Sequence, residues 1–224
     1  MDIIMKKIVA IYTADALVNP LKKLHKEIIP ESKMINIVDD SLIQEVIENG
    51  KVTLGVKRRV LKYYEAAIYD IKADVILNTC SSVGELVDIA NEFFDKPIIK
   101  IDEPMAVEAV KKAKKIGVLA TLPTTLNPTI RLLKKQAVKI NKECEIVNGL
   151  AKGAFHALLE GNNDKHDRLI IETAKDIAEK VDVLVLAQGS MARMKDTLTD
   201  IAGKPVLTSP ASGLQYVRKI LNYI

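Results

Sequence analysis

The run KIVAIYT at positions 7–13 returns 108 positions later as KIGVLAT at 115–121. The same offset carries Asn19-Pro20 onto Asn127-Pro128 and Lys96-Pro97 onto Lys204-Pro205. It also carries DVILNTCSS, which begins at Asp74, onto DVLVLAQGS, which begins at Asp182. Four matches at one spacing without a gap mark an internal duplication, because chance matches drift in register. Whatever one half of these 224 residues builds, the other half must build too.

Each half alternates short apolar runs with amphipathic stretches, the pattern of buried parallel strands joined by helices. In the first half, strands are expected at 7–13, 34–38, 75–77 and 97–101, and helices at 21–29, 42–48, 57–71 and 83–93. In the second, strands are expected at 115–121, 145–147, 183–186 and 205–207. Its helices fall at 105–115, 129–139, 151–160, 165–180 and 190–201, and a last helix at 213–223 returns to the first half. Asn19-Pro20, Asn127-Pro128 and Asp102-Glu103-Pro104 each read as a cap with proline in the first helical turn. The expected fold class is α/β: two pseudo-symmetric parallel-sheet half-domains facing across a central cleft. The first comprises residues 1–104 with about 210–224, and the second comprises 105–209.

With 33 basic and 29 acidic residues the chain carries a net charge of +4, and its lysine pairs lie on helical stretches as solvated faces. Lys57-Arg58-Arg59 is the densest basic cluster, but six Tyr, three Phe and no Trp give little material for stacking bases. No nucleic-acid partner is expected. No apolar run is long enough to span a bilayer, residues 1–7 lead straight into a strand, and no export signal stands at the start. No membrane partner is therefore expected, and the expected location is the cytoplasm. The two cysteines, Cys80 and Cys144, do not make a disulfide framework. His25, His156 and His166 are dispersed, which leaves a metal site unsupported. A homodimer is the default assembly, as the commonest homo-oligomer.

The chemistry is expected at the carboxyl ends of the strands, where open α/β sheets bind ligands. Cys80 stands at such an end, in Asn78-Thr79-Cys80-Ser81-Ser82. Ser82 and Glu85 have the spacing of a capping box, so the thiol is expected beside free N–H groups that attract an anion. The corresponding loops hold Thr13 to Val18, Thr121 to Leu126, and Gln188-Gly189-Ser190, with Gln188 answering Cys80 and Ser190 answering Ser82. If the halves face each other, Cys80 and Gln188 lie on opposite sides of whatever is bound. Taken singly, each Ser or Thr is more readily read as a helix cap, and a cysteine after a strand is ordinarily core filler. The repetition of polar residues around a thiol is what favours a site.

This arrangement resembles the cofactor-independent aspartate/glutamate/hydantoin racemase family over nearly the whole chain. Gly117-Val118-Leu119-Ala120-Thr121, followed by Thr124, is similar to that family's Gly-Val-(Ile/Leu)-Ala-Thr-x-x-Thr stretch. Asn78-Thr79-Cys80-Ser81-Ser82 looks like its first cysteine motif. Asp102-Glu103-Pro104-Met105 and Leu186-Ala187-Gln188-Gly189-Ser190-Met191 resemble one branch of it. The resemblance implies no cofactor and a small carboxylate substrate, with one thiol on each face of the substrate's α-carbon. Here the first thiol is Cys80 and the second position holds Gln188, so the two-thiol mechanism does not carry over intact. An amide can still donate hydrogen bonds to a carboxylate or an enediolate oxygen. By the same resemblance, Ser81, Ser82, Thr121, Thr124, Thr125 and Ser190 hold the substrate carboxylate, with Thr13 and Gly189 in the matching loops. Asp15 is either an acidic helper or a cap. Cys144 lies outside the repeated loops and is not nominated, and His156 reads as structural.

The implied function is a racemase or isomerase acting at the carbon α to a carboxylate of an amino-acid-like substrate, with Cys80 as acid/base and Gln188 opposite it. A one-thiol decarboxylase or cis–trans isomerase, or a carboxylate-binding protein without chemistry, remain the alternatives.

Overall fold

The computed structural model describes residues 5–224; the reading of residues 1–4 as the lead-in to the first strand, without an export signal, lies outside the described residues. The chain forms two compact units, one running up to Ile101 and resumed at Pro210–Ile224, the other Asp102–Ser209.

The first unit holds β1 (Lys7–Tyr12), β2 (Lys33–Val38), β3 (Val75–Asn78) and β4 (Ile98–Lys100), all parallel in the order β2-β1-β3-β4. One face of the sheet carries Val9, Ile11, Ile76 and Ile98. That face packs against α2 (Ser41–Asn49), α3 (Leu54–Tyr69) and α4 (Glu85–Ala90) through Leu42, Val46, Val60, Tyr64 and Val87. The other face carries Ile8, Ala10, Tyr12, Val75 and Leu77, against α1 (Val18–Ile28) and α10 (Ser209–Leu221). Covered on both sides, β1 and β3 are apolar at successive rather than alternate positions, over Ile8 to Tyr12 and Val75 to Leu77. Gly213 of α10 lies so near β4 that a Cβ there would stand 2.7 Å from the carbonyl oxygen of Ile101.

The second unit repeats the plan. Its strands β5 (Lys115–Ala120), β6 (Glu145–Leu150), β7 (Val183–Leu186) and β8 (Val206–Leu207) run parallel in the order β6-β5-β7-β8. Around them are α5 (Glu103–Lys112), α6 (Pro123–Lys139), α7 (Ala154–Leu159), α8 (Asn163–Ala178) and α9 (Lys195–Ala202). Ile116, Val118 and Val185 face α5 and α6, while Leu119, Leu184 and Leu186 face α8 and α9. No helix among the described residues is long and apolar enough to cross a membrane.

The duplication holds bond by bond. Asp74 accepts from the N–H of Lys7 at 2.7 Å, and Asp182 from that of Lys115 at 2.8 Å. The N–H groups of Lys115 and then Lys114 hold the Asp182 carboxyl below the usual carboxylate range. Ile76 and Leu184 each donate to the following proline carbonyl, Pro97 and Pro205, at 2.9 Å. Each half thus fixes the start of its central strand with the aspartate of the next one.

Three expected helix caps are corrected. α1 begins at Val18 with Leu17 at its N-cap, so Asn19 is inside the first turn rather than capping it. Neither does Asp15 cap this helix with its side chain; its carbonyl accepts from the N–H of Val18 at 2.9 Å. α6 begins at Pro123, which takes the first helical position itself, so Asn127 caps nothing and Pro128 falls inside the helix. After β3, residues Ser81–Val83 form a 3-10 turn closed by the Gly84 N–H on the Ser81 carbonyl, and α4 starts only at Glu85. Ser82 lies within that turn, Gly84 rather than Ser82 stands at the N-cap of α4, and α4 stops at Ala90 rather than reaching Phe93.

Candidate active site

In each unit the chain leaves its first strand to one side and then returns to the other. The order reverses between β1 and β3, and between β5 and β7. Outside the carboxyl ends of such strand pairs lies the usual crevice for ligands in open α/β sheets. Thr13 and Cys80 follow β1 and β3, and Thr121 and Gln188 follow β5 and β7.

Cys80 has extended backbone, φ −120° and ψ 118°, and its half-buried thiol packs against the apolar cluster beneath α3 and α4. Its surroundings are braced from below. The Tyr64 hydroxyl donates to Asn78 Oδ1 at 3.1 Å, and Asn78 Nδ2 donates to the Cys80 carbonyl at 2.9 Å. Thr79 Oγ1 donates to the Ile11 carbonyl at 2.9 Å, tying β3 to β1 one residue before the thiol. Burial, and after it the negative charge of Cys80, pushes the Tyr64 hydroxyl far above the ordinary tyrosine value. Tyr64 is therefore a permanent donor. Thr13, Ser81 and Ser82 are buried around this strand end, and Asp15 is exposed in the turn after β1.

Gln188 has the same extended backbone as Cys80, φ −112° and ψ 130°. Its side chain is already engaged: Oε1 accepts from the Thr121 N–H at 2.8 Å, and Nε2 donates to Thr121 Oγ1 at 2.6 Å. The amide thus staples β7 to β5 across the crevice, leaving one N–H and one lone pair. A cysteine is too short to do the same in the first unit. Gly189–Met194 then form a 3-10 segment with Gly189 half-buried and Ser190 exposed. Arg193 anchors that segment to α8 by a two-pronged pair with Asp167, which also meets His166 Nδ1 at 2.7 Å. The Arg193 bonds hold the Asp167 carboxyl below the usual range; burial opposes them, and His166 adds to them.

At the head of α6, Thr125 is buried and its carbonyl accepts from Thr129 Oγ1 at 3.0 Å. The Thr124 hydroxyl is buried without a hydrogen-bond partner. Pro128 also lacks the N–H that would reach the Thr124 carbonyl one turn back. Few buried hydroxyls go unpaired in folded proteins, so this one calls for a reason.

The other nominated groups fall elsewhere. Cys144 precedes β6 at the amino end of its sheet, its thiol 3.6 Å from the Ala113 carbonyl. His156 is exposed on α7 and meets Glu160 at 3.2 Å. Arg59 of the basic cluster is engaged by Asp39, Ser41 and Glu45, which withdraws its charge from any polyanion. Sequence reading passed over Tyr64 as a partner of the cysteine strand. The available signal was in the repeat, which puts Leu186 where the first half has Asn78.

A family model described as Asp/Glu/Hydantoin racemase matches residues 12–217. Solved structures with a similar fold include an allantoin racemase from Klebsiella pneumoniae, 18% identical, with a TM-score of 0.73 over 97% of this chain and 88% of that one. A glutamate racemase isoform from Bacillus anthracis is 14% identical, with a TM-score of 0.72 over 97% of this chain and 82% of that one. A glutamate racemase from Francisella tularensis in complex with D-glutamate is 17% identical, with a TM-score of 0.71 over 97% and 81%. No curated protein matches the chain. At these identities the likeness is one of fold.

Proposed function

The chain belongs to the Asp/Glu/hydantoin racemase family, and from that premise we propose that it is a cofactor-independent isomerase acting at the carbon α to the carboxylate of an amino-acid-like or hydantoin-like substrate. Cys80 is the acid/base: as thiolate it takes the α-proton, and as thiol it returns one. The observation that carries this reading is the place of Cys80, at the carboxyl end of β3 where the strand order reverses. The hydroxyls of Thr121, Thr124 and Thr125, with Ser81 and Ser82, are the proposed partners of the substrate carboxylate. As the proton leaves, negative charge moves onto that carboxylate, and hydrogen-bond donors to it stabilise that charge. The unpartnered Thr124 hydroxyl supports this role. Gly189 and Ser190 line the matching loop, and Thr13 and Asp15 belong to the loop after β1.

One observation favours a narrower chemistry. Both ends of the Gln188 amide are taken up by Thr121, and an amide neither gives nor takes a proton near neutrality. Gln188 is then a holder of the Thr121 backbone rather than a second acid. With one thiol, a proton is delivered to a single face, as in a stereospecific decarboxylation; in a cis–trans isomerisation the Cys80 thiolate instead adds to the double bond, the resulting single bond rotates, and the thiolate leaves again.

The test is a polarimetric and chromatographic assay against both enantiomers of aspartate and glutamate, a hydantoin, an arylmalonate and maleate. Cys80→Ala is expected to lower turnover roughly 100- to 10,000-fold, the usual weight of a proton-transfer group, with substrate binding retained. Turnover unchanged in Cys80→Ala would remove the thiol from the mechanism. Binding without turnover in the wild type would leave a carboxylate-binding protein.

A further inference from the structure

We propose that Tyr64 and Asn78 are positioning residues for Cys80, a two-bond brace from α3 through the end of β3 to the Cys80 carbonyl that sets the direction of the thiol. The inference rests on Cys80 being the reacting thiol.

The brace can be assembled in one sense only. A carbonyl accepts and cannot donate, so the group facing the Cys80 oxygen must be Asn78 Nδ2, at 2.9 Å. That turns Oδ1 toward Tyr64, whose hydroxyl donates to it at 3.1 Å. Tyr64 is fully buried on a 16-residue helix whose first turn is capped by Thr53 Oγ1. Its phenol stays protonated, because burial above all, and then the charge of Cys80, opposes ionisation. Holding the Cys80 carbonyl fixes the peptide plane after the thiol and so the frame from which its side chain departs. Lys100, paired in register with Asn78 on β4, is taken up by Asp88 at 2.7 Å and does not compete for the amide.

The duplication separates a positioning role from a structural one. The second unit builds the same strand and the same extended residue after it, with Leu186 in place of Asn78. There the Gln188 side chain fixes its own loop by reaching Thr121. A strand end of this design therefore folds without the amide. The asparagine appears in the half that carries the thiol, whose side chain must remain unbound to react.

Iodoacetate tests the brace without knowledge of the natural substrate. It is a small carboxylate with a reactive α-carbon: the thiolate of Cys80 attacks that carbon, a sulfur–carbon bond forms, and iodide leaves. Alkylation is followed by mass spectrometry at the high-pH plateau, where ionisation no longer limits the rate, in wild type, Asn78→Leu and Tyr64→Phe. Cys144 serves as internal reference. Wild type is expected to show saturable alkylation of Cys80. Asn78→Leu is expected to lower the limiting rate about tenfold with half-saturation unchanged, since ångström-scale misplacement of a reacting group costs up to about 100-fold. Tyr64→Phe, which keeps the ring in its packing, is expected to lower it less, and it decides the matter if Asn78→Leu does not fold. A merely structural role would reduce the fraction of protein that reacts saturably and leave the limiting rate alone; that result overturns the proposal. Non-saturable labelling of Cys80 in wild type would overturn the site reading itself, a failure distinguishable from loss of the brace alone.

Discussion

Thr124 keeps a buried hydroxyl unpaired at the head of α6, and an unmade hydrogen bond of that kind costs about 1–3 kcal/mol. Valine has nearly the same shape without the polar group. Thr124→Val is therefore expected to raise unfolding free energy by about 1 kcal/mol in a denaturant titration, while weakening binding of a small carboxylate about tenfold by calorimetry. A variant that binds as the wild type does would take the hydroxyl out of the site. The same logic, read backwards, separates Cys80 from Gln188. The two share one backbone conformation, yet Gln188 has spent its side chain on Thr121 while the Cys80 carbonyl is held by a neighbour. One side chain is tied to the neighbouring strand, and the other is the proposed reacting group.

At the scale of elements, α10 shows packing overruling propensity. Alanine is favoured over glycine in a helix by about 1 kcal/mol, but a Cβ at Gly213 would lie 2.6 Å from Ile101 Cγ1 and 2.7 Å from the Ile101 carbonyl oxygen. The backbone cannot yield as a side-chain tip would. Gly213→Ala is expected to lower stability by about 1–3 kcal/mol, read as a reduced thermal midpoint; an increase would show that α10 stands off from β4. The strands were legible because burial on both faces demands unbroken apolar runs. The helix starts were less so, since a proline in the first turn looks alike wherever that turn begins. In α6 two prolines competed, and the earlier, Pro123, took the first position. Ser82 and Glu85 have capping-box spacing, but Ser81–Val83 close a 3-10 turn instead. The bond from Tyr64 to Asn78 joins a helix to a strand through the fold, which no local period records.

For the molecule as a whole, the duplication was the most legible feature, and the hydrogen bonds of Asp74 and Asp182 to Lys7 and Lys115 repeat it atom for atom. Legible too was the departure from it: Cys80 against Gln188, and Asn78 against Leu186. What the amino acids alone did not disclose was how Gln188 is used, because an amide free to meet a ligand and an amide stapled to Thr121 are spelled alike. The central claim is that one thiol, Cys80, exchanges the proton on a substrate's α-carbon. It is tested most directly by proton NMR in D2O on the same panel of small acids, comparing wild type with Cys80→Ala. Deuterium is expected to enter the α-carbon of at least one acid with wild type, on one face if the amide at 188 is only a fixture, and to enter none with Cys80→Ala. Equal incorporation by both proteins would contradict the claim.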